Sequence, residues 1–204
     1  MSEFIHSEDL RKNRILDAAL VEFAEKGYKK GSTNTIVKSA EVSKGLLFHY
    51  FGSKKQLFIY LYQYAMNEIT KELFERVNLK DRDVLNRVKT SALSKIQSYE
   101  EHDLFVKFFD QVKEVKDDEI LLACEIIADD ESKKAFKRLF ENIDYYLFKD
   151  SINITRCLKV IAWTLEQSSS EWRKKYQIIN DEALNELRTE MDHYLELFKE
   201  AFYR

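Results

Sequence analysis

The 204-residue chain contains no proline, four glycines, two cysteines and two tryptophans. Without proline, nothing in the sequence forces a helix to kink or end for want of an N–H donor. Apolar residues recur at helical spacing almost throughout, and no stretch alternates convincingly enough to be a strand, so the predicted class is all-α. Cys124 and Cys157 stand far apart, with no CxxC spacing and no neighbouring histidine. That pattern suggests neither a disulfide framework nor a zinc site, and the two are read as buried free thiols. No apolar run approaches the ~18–20 residues of a membrane span, and the start MSEFIHSEDLRKN lacks the apolar centre of a signal peptide, so the expected location is cytoplasmic.

The few glycines are unevenly spent: Gly27, Gly31, Gly45 and Gly52 all lie in the first 52 positions. Charge is uneven too. The whole chain carries −3, yet from Arg11 to Lys55 ten basic residues face four acidic ones, a net +6 that leaves −9 for the rest. A basic head on an acidic body is the layout of a protein that brings one end to phosphate.

Within the head, a helix is predicted over Glu8–Lys26, with Leu16, Ala19, Leu20, Phe23 and Ala24 on one face and Gly27 as its stop. Ser32 caps a short second helix to Ala40, and Ser43 caps a third over Lys44–Phe51, ended by Gly52. Ser53 and Gln56 then form a capping box for a long fourth helix, Lys54 to Val77. Two short helices joined by a tight turn are what a helix-turn-helix requires to lay its second helix in a DNA major groove. Polar breaks divide the remainder into predicted helices at Val84–Tyr99, Leu104–Val115, Ile120–Ala128, Ala135–Phe148, Ile152–Tyr176 and Asp181–Tyr203. In the last, Leu184, Leu187, Met191, Tyr194, Phe198 and Ala201 form a heptad seam, and Ile154, Leu158, Ile161 and Leu165 form a stripe on the helix before it. The seam is either internal core or the contact between two copies.

From Val42 to Leu57 the chain reads VSKGLLFHYFGSKKQL. This resembles the tetracycline-repressor (TetR) family, whose pattern is met by Ile36, Ala40, Val42, Ser43, Gly45, Tyr50, Phe51, Lys54 and Leu57, preceded by Phe23, Gly27 and Tyr28. Val37 stands where the family has alanine, Glu41 where it has the turn glycine, and Phe48 where tyrosine is common. The resemblance implies an all-α protein with an N-terminal three-helix DNA-binding domain, residues 1–53, and a C-terminal helical ligand-binding and dimerisation domain, residues 54–204. It implies DNA contacts from Thr33, Asn34, Lys44, Gly45, Leu46, Phe48, His49, Tyr50 and Lys54. Lys44 can reach guanine O6/N7 or a phosphate, Leu46 a thymine methyl, and Gly45 has no Cβ to hold the backbone off the groove. A homodimer on a near-palindromic operator is implied, joined through Ile154, Leu158, Ile161, Leu165, Leu187, Met191, Tyr194 and Phe198. A small-molecule effector would enter the body among the fourth to eighth helices, with Tyr62, Met66, Phe105, Phe109 and Trp163 as candidate lining. No cofactor and no enzymatic activity are expected.

Two other readings compete. The first is a helical-bundle metal-dependent enzyme, since such bundles can hold metal through E-x-x-H pairs plus two further glutamates, and Glu3–His6 and Glu190–His193 have that spacing. The first pair precedes the predicted first helix and His193 falls off the seam, so neither is assigned a metal. A helical adaptor that has lost DNA binding is the second alternative, and the basic head with Gly45 and Lys54 speaks against it.

Overall fold

The computed structural model describes residues 2–176 and 180–204, with the side chains of residues 2–9, 99, 100 and 181 left outside the description; the Glu3–His6 pair lies among them. Nine α-helices are present among the described residues: α1 (Ser2–Lys30), α2 (Thr33–Ser39), α3 (Lys44–Phe51), α4 (Lys54–Arg76), α5 (Val84–Glu101), α6 (Asp103–Lys113), α7 (Asp118–Leu139), α8 (Ile154–Lys175) and α9 (Asp181–Phe202). They form two compact units, Met1–Glu68 with His102–Ser132, and Ile69–Glu101 with Lys133–Arg204. No described helix is long and apolar enough to cross a membrane.

In the first unit α1 runs past Gly27, which takes φ 67° and ψ 177° and kinks the helix where the sequence predicts its stop. A residue with a Cβ would be strained in that left-handed region. Phe58 on α4 sits at the centre, its ring met edge-on by Phe23 at 5.0 Å, Tyr28 at 5.2 Å and Phe108 at 5.1 Å. These rings join α1, α4 and α6 through contacts that favour edge-to-face geometry.

The second unit is built on α5, α8 and α9. Leu158, Ile161 and Leu165 of α8 and Leu187, Met191 and Phe198 of α9 are buried in its core with Val84 and Val88 of α5. Trp172 Nε1 donates to the Ala183 carbonyl at 2.9 Å, a buried tie between the two long helices. After Phe202 the chain pairs back on the loop before α8, with Phe148 and Tyr203 in an isolated bridge and the Tyr203 hydroxyl donating to Asp83 Oδ1 at 2.7 Å.

One predicted break is absent. Asp129–Ser132 lies inside the continuous helix α7, where two helices were expected. Aspartate, glutamate and serine only weaken a helix, and Asp129 and Asp130 precede Lys133 and Lys134 by four residues, the order that supports one. The helix ends instead at Leu139, shortly before Asn142 takes φ 56°, and a single 3-10 turn at Tyr145–Leu147 follows.

Candidate nucleic-acid interface

Local hydrogen bonds set the two short helices of the head. Ser32 Oγ accepts from Thr35 N at 3.4 Å and Ser43 Oγ from Leu46 N at 3.2 Å, so both predicted caps form. Ser53 Oγ accepts from Gln56 N at 3.1 Å and starts α4. Glu41 in the turn has φ 54°. An L-residue held there costs on the order of 1 kcal/mol relative to the family's glycine.

Helix α3 has two distinct sides. Leu47 and Phe51 are buried, as is Ile36 of α2. Lys44, Gly45 and His49 are exposed, and Leu46, Phe48 and Tyr50 are half-buried. At the head of α2, Thr33 is half-buried and Asn34 exposed. A Cβ added to Gly45 would meet only Ser43 Oγ, at 3.9 Å, so nothing inside this chain demands glycine there. The Lys44 ammonium lies 6.0 Å from the Phe48 ring centroid, a cation–π contact that steadies a lysine without burying it.

Lys54 is placed differently from a free phosphate-binding lysine. Half-buried, it donates to the Lys29 carbonyl at 3.3 Å and lies 4.9 Å over the Tyr28 ring, satisfying the end of α1. Burial lowers its pKa below the usual lysine range, against the opposing field of Glu22. Glu22 is 4% exposed and accepts from Ser32 N at 2.9 Å and from Lys26 Nζ at 2.8 Å. Burial alone would raise its carboxyl, but the hydrogen bonds from Lys26 and Ser32 outweigh it and hold the group below its ordinary value. Glu22 thus joins α1 to the start of α2, a role the sequence does not display, since Glu22 lies outside the predicted apolar face of the first helix.

Lys55, next along α4, pairs with Asp117 at 3.0 Å and Glu119 at 2.6 Å. Asp117 also accepts from Ile120 N at 3.2 Å at the start of α7. These hydrogen bonds lower the Asp117 pKa and raise that of Lys55. Nothing in the linear sequence links positions 55 and 117.

The residues expected to line an effector site fall in two places. Tyr62 and Phe109 meet edge-on at 5.6 Å in the first unit, where Met66 is half-buried and Phe105 buried. Trp163 belongs to the second unit and is 67% exposed on α8. Of the residues expected to meet a second copy, Leu158, Ile161, Leu165, Leu187, Met191 and Phe198 are already buried within one chain, while Ile154 and Tyr194 are half-buried. In a single chain the seam is core, packed against α5 and α8. At 100° per residue, Val160 and Trp163 lie on the side of α8 away from it, and both are exposed. Glu190 and His193 are exposed on α9 rather than turned toward the core.

Residues 15–61 match the family model for bacterial regulatory proteins of the tetR family. That match covers the head alone, and the chain as a whole has an all-α fold with an N-terminal helix-turn-helix. It is 26% identical over 105 residues, 52% of its own length and 54% of the other's, to an uncharacterized HTH-type transcriptional regulator, YhgD, of Bacillus subtilis (strain 168). It is 31% identical over 67 residues to a fatty acid metabolism regulator protein of the same organism, covering 33% of this chain and 34% of that one. The matches thus span about half and about a third of those two curated relatives. Among solved structures, the transcriptional regulator FadR from Bacillus subtilis in complex with stearoyl-CoA superposes with TM-score 0.64 at 17% identity, covering 92% of this chain and 97% of that one.

Proposed function

We propose that the protein is a ligand-responsive transcription regulator that binds a near-palindromic DNA operator as a homodimer and leaves it when a small molecule enters the body. The observation that carries this reading is α3: a helix with Leu47 and Phe51 buried on one side and Lys44, Gly45 and His49 open on the other, in a head of net charge +6. Two such helices, one per copy, would occupy successive major grooves about 34–36 Å apart. Residues 1–53 form the DNA-binding domain in this reading, and residues 54–204 the effector and dimerisation domain. The second copy would meet α8 and α9 through what their own packing leaves exposed, Val160, Trp163 and Leu197.

The proposed effector site is lined by Tyr62, Met66, Phe105 and Phe109. Its candidate class is a fatty acyl-CoA, supported by the stearoyl-CoA in the Bacillus subtilis FadR structure and by the name of the fatty acid metabolism regulator. Effector binding can release DNA only if the ligand prefers one state of the protein, with a coupling of typically ~1–3 kcal/mol.

Titration against random and genomic duplexes at several salt concentrations tests the proposal, since a true reader keeps a sequence preference above its salt-dependent backbone binding. Lys44→Ala is expected to relax base choice by ~1–3 kcal/mol at one position, and Lys54→Ala to weaken binding across all sequences. Stearoyl-CoA is expected to lower the affinity for the preferred duplex. Unchanged affinity in both variants would contradict the assigned docking.

A further inference from the structure

In the second unit, the loop before α5 and the turn after α7 enclose an open groove of about 530 Å³ lined by Leu79, Lys80, Arg82, Asn142, Ile143 and Tyr145. Its volume lies in the ~300–1,000 Å³ range of small-molecule sites. None of the six lining residues is acidic. The side chains of Lys80 and Arg82 are exposed and have no hydrogen-bond or ion-pair partner among the described residues. The loop's own carboxylates keep their charge but are held in place by neutral donors: Asp81 accepts from Asn86 Nδ2 at 3.0 Å, Asp83 from the Tyr203 hydroxyl at 2.7 Å, and Asp144 from Tyr146 N at 3.0 Å.

A third cation is fixed beside the groove. Arg87 is 2% exposed, and its guanidinium donates only to backbone carbonyls, those of Asp81, Leu79 at 2.6 Å, Leu139 at 3.1 Å and Glu141 at 2.6 Å. It holds both walls, since Leu79 lines the groove and Glu141 directly precedes Asn142. The carbonyls at the end of α7 offset part of its charge, but no carboxylate among the described residues pairs with it. Buried charges are normally paired because an uncompensated one projects its field through a weakly screening interior.

We propose that this groove is a binding site for a small ligand carrying a phosphate monoester on an aromatic ring. Arg82 presents a planar fork suited to two phosphate oxygens, with Lys80 as a point charge beside it. Asn142, set at φ 56°, offers a carboxamide with no partner among the described residues. Leu79 and Ile143 give an apolar floor, and the ring of Tyr145, 55% exposed, supplies a face for the ligand's ring. The site is independent of the proposed DNA reading and of the proposed effector site, and needs neither.

The test is a titration of the full chain, at constant ionic strength, with phenyl phosphate, inorganic phosphate and phenol, followed by amide chemical shifts. Phenyl phosphate is expected to shift residues 79–82 and 142–145 together and to bind at least tenfold more tightly than phosphate or phenol. Arg82→Ala is expected to weaken it about tenfold, and Tyr145→Ala to reduce it to the level of phosphate. Both side chains are exposed, so unchanged thermal melting controls for folding. Shifts confined to the basic head, equal binding of phosphate and phenyl phosphate, or affinity unaltered by either substitution would each overturn the proposal.

Discussion

Gly45 and Lys54 show how one side chain position can be read from two directions. Gly45 sits in the first turn of α3 with open space around its missing Cβ, so the fold itself has no use for glycine there. Glycine in a helix is worse than alanine by up to about 1 kcal/mol. The Gly45→Ala protein is therefore expected to melt at a slightly higher temperature while losing DNA affinity, a split that thermal unfolding and duplex titration read separately. A loss of stability instead would place the glycine in the service of the fold. Lys54, by contrast, already donates to the end of α1 and covers Tyr28. Any phosphate contact it makes shares a lysine whose position α1 has set.

At the scale of elements, the joint between α1 and α2 depends on one buried carboxylate. Replacing Glu22 with glutamine keeps the shape but removes the charge that receives Lys26 and the Ser32 N–H. The expected loss is about 1–3 kcal/mol of stability, measured by denaturant unfolding. Because the folded-state pKa of Glu22 lies below its unfolded value, its contribution is present above the unfolded pKa and fades as pH falls through the folded one. The Glu22→Gln protein should accordingly lose the part of the acid-side decline in stability that belongs to this group.

The same elements show what the linear chain made legible. Caps at Ser32 and Ser43, and the buried Ile36, Leu47 and Phe51, follow from local spacing and formed as read, while of the Ser53–Gln56 box only the Ser53 Oγ half is made, Ser53 N donating to the Phe51 carbonyl. The division of α7 did not, because a run of acids and serine looks like a break while costing a helix little. Glu22, the Lys55 pairing with Asp117 and Glu119, and the buried Arg87 were hidden for a different reason. Each depends on a partner distant in sequence, and charge alone, counted along the chain, reads as solvated surface. The heptad seam of α9 was visible as a seam, but its partner was not, since α5, α8 and a second copy offer the same apolar chemistry.

For the whole molecule, burial of that seam within one chain shifts the proposed contact between copies to Trp163, Val160 and Leu197. Trp163→Glu puts a charge on that face without touching the core. It is expected to shift the sedimentation coefficient from dimer to monomer while leaving the helical circular dichroism intact. A variant that sediments like the parent would move the dimer contact elsewhere.

The measurement that bears most directly on the account is a backbone-cleavage footprint of the full chain on its best-binding duplex, selected from a random pool. Two protected patches, related by near-palindromic sequence, centred about 34–36 Å apart and both weakened in Gly45→Ala, are the predicted result. Uniform protection with no preferred sequence, or one patch unaffected by Gly45→Ala, would contradict a pair of α3 helices reading DNA.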